Sequence, residues 1–278
     1  MPVAATITPE FVLQVETAER LAWGGLYEAA TSEAVRLAGI QRVQIGLATA
    51  GIAAHVDVLA FNRVIGLGLG ETATPEQIDT IIAAYKDAGV PRFFIQLAPH
   101  ASPATIPDWL TERGFVHYNN WIRLVRGVEK LPVAPSDVRV EEIGSDQGAT
   151  FAQLIVTAFE WPTVAESMIA ATVGRPNWHF YLAFVGDQPI ATAGMYIHNQ
   201  TAWIDFASTL AEFRGHGAQT ALIARRITDA AKRGCRWLTV ETAEDRPDKP
   251  SISNRNIRRC GFTQTYVRPN YLWKMNSD

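Results

Sequence analysis

The sequence predicts two tandem α/β units, each with a mixed, mostly antiparallel sheet flanked by helices. The chain has 278 residues, 47% of them hydrophobic and 19% charged, which suits two domains of ~150 residues each. A stretch with closely spaced prolines, GVEKLPVAPSD at 127–137, separates two segments of similar length. Both segments show one order of elements, which is antiparallel strands, helix, strand, short helix, Gly-Phe and a last strand.

The first segment shows strand-like runs and one well-marked helix. In chain order we expect a strand-like stretch at 55–69, a helix at 74–89, a strand at 92–98, a short helix at 104–113 and a strand at 116–125. Thr74 is the expected N-cap of the helix, Pro75 suits its first turn, and Gly89 ends it. The predicted domain covers 1–127, followed by a linker at 128–137.

The second segment, 138–278, is predicted as the other domain. In chain order we expect three strands within 178–209, a helix at 218–233, a strand at 235–242, a short helix at 252–259 and a strand at 264–273. Gly186-Asp187 and Asn199-Gln200 mark the two hairpin turns.

Composition excludes several classes of protein. The net charge of -3 gives no basic excess, so we expect no nucleic-acid partner. No stretch approaches the ~20 apolar residues of a membrane span, and the N-terminus lacks a signal-peptide pattern, so we expect a cytoplasmic protein without membrane association. Cys235 and Cys260 suit neither a disulfide framework nor a metal site, and no metal is expected.

The segment TLAEFRGHGAQTAL at 209–222 carries the main chemical signal. A strand ends near Thr209, and Gly215 and Gly217 precede a helix. The first N–H groups of a helix have no partner within it, and the helix dipole adds positive charge, so this turn suits a pyrophosphate. Arg214 adds a fixed cation. Two alternatives involve no ligand. The turn could be a tight loop that uses glycine for geometry alone, and the basic residues further along the helix could form a solvated charged face.

With its downstream strand, short helix and Gly-Phe, the second segment resembles the GNAT (Gcn5-related N-acetyltransferase) superfamily from Val138 to Trp273. The family signature Arg/Gln-x-x-Gly-x-Gly/Ala matches from Arg214 onward, except that Gln219 stands where Gly or Ala is usual. In SISNRNIRRCGF, Ile257 stands where the family often has a Tyr that protonates the leaving CoA thiolate. The first segment resembles a degenerate copy that ends in ERGF at 112–115, and its GLGLG at 66–70 is interpreted as a glycine-rich strand end.

The resemblance implies acetyl-CoA as co-substrate and a set of coenzyme contacts. These would come from Ala207, Ser208 and Thr209 on the preceding strand, from Arg214, Gly215, His216, Gly217, Ala218 and Gln219 in the turn, and from Asn254 and Asn256 on the short helix. A main-chain N–H near Thr209 would polarise the thioester carbonyl.

Amine acetylation needs a base for the ammonium proton and, preferably, an acid for the thiolate. Asp205 is the first candidate base, because strand alternation places it on one face with Ala207 and Thr209 and opposite Phe206. Its alternative is a strand-end carboxylate bonded to a neighbouring loop. Glu241 is the second candidate, with a carboxylate in a solvated loop as the alternative. Tyr266 and Tyr271 are the candidate acids, given Ile257, although a core tyrosine with a hydrogen-bonded hydroxyl is the commoner case.

Two residues, Glu160 and Trp161, are expected to line the acceptor site. The leading hypothesis is therefore an N-acetyltransferase that acts on a primary amine of a small molecule or peptide by direct attack in a ternary complex. The alternative from another class is a non-catalytic acyl-CoA-binding or regulatory module. The oligomeric state is open, a homodimer being one option.

Overall fold

The computed structural model describes residues 7–128, 138–248 and 250–275. The described residues divide into two compact units. The N-terminal unit comprises 7–121 together with 267–275, and the C-terminal unit comprises 122–266. The unit boundaries fall inside two long strands, which therefore contribute residues to both units.

The described chain contains eight α-helices and eleven β-strands. Those of the N-terminal unit are α1 (Pro9–Glu28), α2 (Ser32–Ala38), β1 (Ile40–Ile45), β2 (Ala48–Ala53), β3 (Arg63–Ile65), α3 (Pro75–Asp87), β4 (Arg92–Gln96), α4 (Ile106–Glu112) and the first half of β5 (Val116–Gly127). Those that follow are β6 (Arg139–Ile143), α5 (Gly148–Phe159), α6 (Glu166–Ala170), β7 (Trp178–Val185), β8 (Gln188–His198), β9 (Thr201–Thr209), α7 (Ala218–Lys232), β10 (Trp237–Ala243), α8 (Ile252–Arg259) and β11 (Thr263–Lys274).

In the N-terminal unit the strands lie in the order β1-β2-β3-β4, followed by the second half of β11 and the first half of β5. The pair β3 and β4 is parallel and is connected through α3, whereas the pairs β1–β2, β2–β3 and β4–β11 are antiparallel. Helix α3 places Ile78, Ile81 and Tyr85 in the core against Phe93, whose ring stacks on Tyr85 at 3.8 Å.

In the C-terminal unit the order is β11-β5-β10-β9-β8-β7-β6, where β11 contributes residues 263–266 and β5 its second half, and β9 and β10 form the parallel pair, connected through α7. Strands β6 to β9 form an antiparallel meander. Helix α7 packs on one face of the sheet, where Leu222 and Ile227 join Met195 in the core. Helix α5 packs on the other face, where Phe151 contacts Phe180 with ring centroids 4.9 Å apart. Both units therefore have the same β-meander, helix and parallel-strand arrangement.

Several sequence-based predictions are confirmed. Thr74 caps α3, with Thr74 Oγ1 accepting from Gln77 N and Gln77 Oε1 accepting from Thr74 N, and Gly89 follows the helix end in the left-handed region at φ +71°. The turns at Gly186-Asp187 and Asn199-Gln200 connect the meander. Helix α8 has the predicted bounds.

Other predictions need correction. The stretch at 55–69 contains only the short strand β3, because most of the meander precedes it as β1 and β2. The compact units also divide the chain differently from the predicted domains at 1–127 and 138–278. The reason is that residues 270–274 of β11 pair with residues 92–96 of β4, which brings the C-terminal segment into the N-terminal unit. The predicted linker at 128–137 lies outside the described residues except for Val128.

Candidate functional site

A gap opens between β9 and β10 in the C-terminal unit. The parallel ladder joins Thr201–Trp203 to Trp237–Thr239, and among the described residues it ends there, although β9 continues to Thr209 and β10 to Ala243. Ala207, Ser208 and Thr209 at the end of β9 therefore lie beyond the described ladder with β10. Such an edge is able to pair with an extended ligand.

A β-bulge lies at the same point of β9. Gly194 pairs with Asp205 and Thr192 with Ser208, so β9 has one residue more than β8 in this interval. Phe206 takes the left-handed conformation at φ +51°, and Thr192 Oγ1 donates to Phe206 O at 2.8 Å. The bulge turns the edge of β9 at the beginning of the gap.

The bulge corrects the predicted side-chain faces. Because it inserts a residue, Asp205 shares a face with Ser208, whose Oγ lies 2.7 Å from Thr192 Oγ1, and not with Thr209. Strand alternation predicts Phe206 on the opposite face from Trp203. The left-handed backbone instead brings its ring beside Trp203 and Trp178, with ring centroids 6.5 and 5.7 Å away.

The two candidate bases flank the gap symmetrically. Trp203 and Thr239 form the last pair of the ladder. Asp205 lies two residues after Trp203 on β9, and Glu241 lies two residues after Thr239 on β10. Side chains two apart on a strand share a face, so both carboxylates belong to the face opposite α7. Both residues are half-buried. The structure thus places a carboxylate on each strand beside the gap.

A buried arginine that the sequence analysis does not single out supports the bulge from the α7 face. Arg226 is 1% exposed, and its Nη1 donates to Gly194 O at 3.1 Å and to Asp205 O at 3.4 Å. Burial lowers the pKa of Arg226 to about 10, so it remains a cation at neutral pH. This buried position could have been found in the sequence, because helical spacing places Arg226 on the same apolar face of α7 as Leu222 and Ile223.

The glycine turn has an open geometry. Gly215 and Gly217 are both left-handed, with φ of +88° and +81°, and Gly217 is the N-cap of α7. A Cβ built on Gly215 would have nothing within 4 Å, and Arg214 and His216 are exposed. Ala218, the first residue of the helix, is buried.

The main-chain N–H groups of this turn are free within the described structure. No N–H from Gly215 to Thr220 donates to an acceptor in the described residues, and no side chain among them caps α7. Unpaired N–H groups at the N-terminal end of a 15-residue helix are able to bind an anion. We call this segment, 215–220, the N–H row.

Gln219, which stands where the family signature has Gly or Ala, is bonded to α8. Gln219 Nε2 donates to Ser253 Oγ at 3.3 Å, and Gln219 Oε1 accepts from Asn256 Nδ2 at 2.8 Å. The Gln219 side chain therefore points away from the N–H row, and Asn256 is engaged with it.

The structure does not support the predicted coenzyme contact of Asn254. Its side chain is fully buried, donates to Ala243 O at 3.3 Å and accepts from Arg258 Nε at 2.7 Å. The first bond connects α8 to the end of β10, and the second lies within α8, so the Asn254 side chain is engaged in contacts within the protein. Ile257 lies in the core, 4% exposed, so its position supplies no proton donor.

The remaining predicted residues lie in different surroundings. Tyr266 is buried within the C-terminal unit, whereas Tyr271 belongs to the N-terminal unit, where its ring lies 6.1 Å from that of His117. Glu160 is exposed in the left-handed region after α5, and the half-buried Trp161 stacks on exposed Phe159 at 4.8 Å.

The comparisons with known proteins agree with this geometry. Residues 148–253 match the model of the Acetyltransferase (GNAT) family. The chain contains a GNAT domain. The match includes the bulge, the N–H row and the gap. No curated protein matches the sequence.

Solved structures of GNAT proteins share the fold over both units. A GCN5-related N-acetyltransferase from Kribbella flavida superposes with a TM-score of 0.66 at 17% identity, covering 99% of this chain and 98% of that one. A GCN5-related N-acetyltransferase from Sphaerobacter thermophilus gives 0.56 at 17% identity, covering 82% and 80%. A tandem GNAT protein from the clavulanic acid biosynthesis pathway gives 0.54 at 13% identity, covering 78% and 76%. The predicted tandem α/β fold class is confirmed.

Metal clusters and membrane spans are both absent from the described part of the chain. No group of three or more His, Cys, Asp or Glu residues there is arranged to hold a metal ion. Among the same residues, no helix has both the length and the apolar character needed to cross a membrane.

Proposed function

We propose that the protein is an N-acetyltransferase that transfers the acetyl group of acetyl-CoA to a primary amine by direct attack in a ternary complex. GNAT membership of residues 148–253 supports acyl transfer in general. The observation that carries the finer proposal is the free N–H row at the start of α7, immediately after a strand with an open edge.

The coenzyme would bind through main-chain groups. The N–H row and the positive end of the α7 dipole suit the diphosphate, and the exposed Arg214 adds a cation beside it. The pantetheine arm would run along the open edge of β9 at Ala207, Ser208 and Thr209, where a main-chain N–H would polarise the thioester carbonyl. The ligand would then lie along the side of β9 that faces β10, beyond the last pair of their ladder, while Ser208 and Thr209 remain paired with β8 on the other side.

The transfer needs two proton movements around one bond exchange. The amine nitrogen attacks the thioester carbon, the C–N bond forms, and the C–S bond breaks to release CoA. Asp205 would accept the ammonium proton, with Glu241 as the second candidate on the facing strand. Tyr266 is the candidate donor to the departing thiolate in this unit. Holding both reactants at the gap supplies much of the rate gain.

Direct attack is favoured over an acyl-cysteine intermediate. Cys235 and Cys260 are both buried, and burial raises the pKa of Cys235 to about 11 and raises that of Cys260. A thiol with a raised pKa is mostly protonated at neutral pH and is a poor nucleophile. The acceptor amine is then the nucleophile that meets the thioester.

We further propose one coenzyme site, with the N-terminal unit as a degenerate copy. In that unit the helix end after the parallel strand is closed by Thr74 and Gln77. A main-chain hydrogen bond, helped by Thr74, lowers the pKa of Glu76 in the same turn. Ser102 fills the space beside Gly68, with Ser102 N donating to Gly68 O at 2.8 Å. The start of α3, which lies wholly within the described residues, therefore has no comparable open row.

One observation favours the alternative of a non-catalytic acyl-CoA-binding or regulatory module. The position where the family often has a catalytic tyrosine is the buried Ile257. Under this reading the protein binds acyl-CoA and transfers nothing.

A single experiment distinguishes the two functions. Purified protein is titrated with CoA by calorimetry, and thiol release from acetyl-CoA is followed across amino acids, polyamines, aminoglycosides and peptide N-termini, with mass spectrometry of the products. We expect CoA binding together with acceptor-dependent thiol release and an acetylated amine. Binding without thiol release over the whole panel supports the module, and absence of CoA binding contradicts both.

A further inference from the structure

The position of Gln219 creates a conflict inside the coenzyme site. It is the second residue of α7, and its own N–H belongs to the N–H row. A glutamine in the first turn of a helix can fold back, so that its amide oxygen accepts from free N–H groups. If Gln219 did so, it would occupy donors that the diphosphate needs.

The same chain shows this fold-back at another helix. In α3, Gln77 is the third residue of the helix, and its Oε1 accepts from Thr74 N at 3.1 Å, which closes the helix end. Glu76, at the second position that Gln219 holds in α7, accepts from its own main-chain N–H, which lowers its pKa. The closed end of α3 follows a parallel strand, as the open end of α7 does. Side chains of the first helical turn therefore fold back onto free N–H groups in this chain.

In α7 the amide of Gln219 is held by α8 instead. Asn256 Nδ2 donates to the oxygen that would otherwise act as the cap, at 2.8 Å, and Ser253 Oγ accepts from the amide nitrogen at 3.3 Å. Ser251 caps α8 by accepting from Asn254 N at 3.2 Å, which keeps that helix in register for both contacts. The short contact from Asn256 is the stronger restraint.

We propose that Asn256 is a positioning residue, which acts through Gln219 and keeps the N–H row open for the coenzyme. This inference rests on the proposed function, and it assigns Asn256 a role other than direct contact with the pantetheine arm. It also explains how the N–H row stays open although Gln219, a residue with an amide side chain, lies within it.

The test is a double-mutant cycle on CoA affinity, measured by calorimetry with CoA as the probe. Asn256→Ala releases Gln219 to cap the row, and we expect the Kd for CoA to rise about 2- to 10-fold, the equivalent of one hydrogen bond. Gln219→Ala removes the competing amide and keeps the main-chain N–H of the row, and the Kd of this variant is the reference for the double variant. In the double variant we expect the Kd to return to that of Gln219→Ala.

Rescue by the second substitution is the decisive result, because loss of packing between α7 and α8 would not be reversed by a further truncation. Ser253→Ala removes only the longer contact and serves as the matched control, with an expected change below about 2-fold. Thermal unfolding of each free variant shows whether the fold is retained. A crystal structure of Asn256→Ala should show Gln219 Oε1 bonded to a main-chain N–H of the turn.

The other outcomes overturn the inference. A double variant as weak as Asn256→Ala indicates that Asn256 contacts the coenzyme itself. A Gln219→Ala variant as weak as Asn256→Ala indicates that the Gln219–Asn256 contact only holds the two helices together. If the wild type binds CoA and no variant changes its affinity, the inference fails and the proposed function stands. If the wild type does not bind CoA, both fail.

Discussion

Neutralising Arg214 should weaken CoA binding by an amount that its exposure determines. Arg214 is exposed at the start of the turn, so its guanidinium acts through a water-like dielectric. Two unit charges about 5 Å apart in water interact by ~0.8 kcal/mol, and a doubly charged diphosphate raises this to ~1.7 kcal/mol. With a Debye length of ~8 Å at 0.15 M salt, screening leaves ~0.9 kcal/mol. Arg214→Gln should therefore raise the Kd about 4-fold, and Arg214→Glu about 20-fold.

The assay is calorimetric titration with CoA at two salt concentrations. At 1 M salt the Debye length falls to ~3 Å, and the effect of Arg214→Gln should fall below about 2-fold. Arg236→Glu is the matched control, because Arg236 is exposed just before β10, at the opposite end of that strand from the gap. It changes the net charge of the protein by the same amount as Arg214→Glu, and we expect less than about 2-fold change in Kd.

Three results would contradict this prediction. An unchanged Kd for Arg214→Glu would show that the diphosphate does not lie at this turn. Equal losses for Arg214→Glu and Arg236→Glu would show that CoA responds to net charge and not to a local site. A loss that persists at 1 M salt would instead indicate a desolvated contact, which contradicts the exposed placement of Arg214.

Three further predictions concern the chemistry at the gap. Asp205→Asn should lower kcat by about 100-fold or more with CoA affinity retained, because the base is lost; equal rates at saturating amine, or a larger loss for Glu241→Gln, would move the role to Glu241. Tyr266→Phe should lower kcat by only about 10-fold, since a thiolate of ordinary pKa leaves with little help, and an unchanged kcat across pH would remove Tyr266 as the acid. Arg226→Met should change the free energy of unfolding, measured in urea, by less than about 2 kcal/mol, because the ~3 kcal/mol cost of burying a cation whose pKa is lowered to about 10 offsets its hydrogen bonds. The same substitution should reduce kcat, because the bulge loses its support from α7. A loss of stability above about 4 kcal/mol would contradict this balance.

The glycine turn before α7 could be predicted from the sequence because its signals are local. Gly215 and Gly217 precede an apolar helix, and the structure gives both a left-handed conformation and starts α7 at the residue expected. The hairpin turns and the cap at Thr74 belong to the same class. Each depends on a few adjacent residues, so tertiary contacts do not decide them.

The catalytic faces could not be predicted because they depend on contacts distant in sequence. The bulge at Phe206 is held by Thr192 on the neighbouring strand and, from α7, by Arg226, which is bonded to the carbonyl before it. Simple alternation along β9 therefore fails after Asp205. The division of β11 between the units has the same origin, since its pairing with β4 places Tyr271 away from the predicted site.

The two glycine-rich turns of the chain show what makes such a turn an anion site. The turns at 66–70 and 215–217 each follow a strand of a parallel pair, and both contain left-handed glycines. The two turns differ at the start of the helix that follows. Thr74 and Gln77 form a capping box at the start of α3, whereas Gly217 and Thr220, at the matching positions of α7, do not. Glycine makes the approach of a ligand possible, but the unpaired N–H groups provide the binding. The spacing of cap residues is visible in the sequence and predicts the closed start of α3, whereas the open start of α7 also involves Asn256, a residue distant in sequence that binds the Gln219 amide.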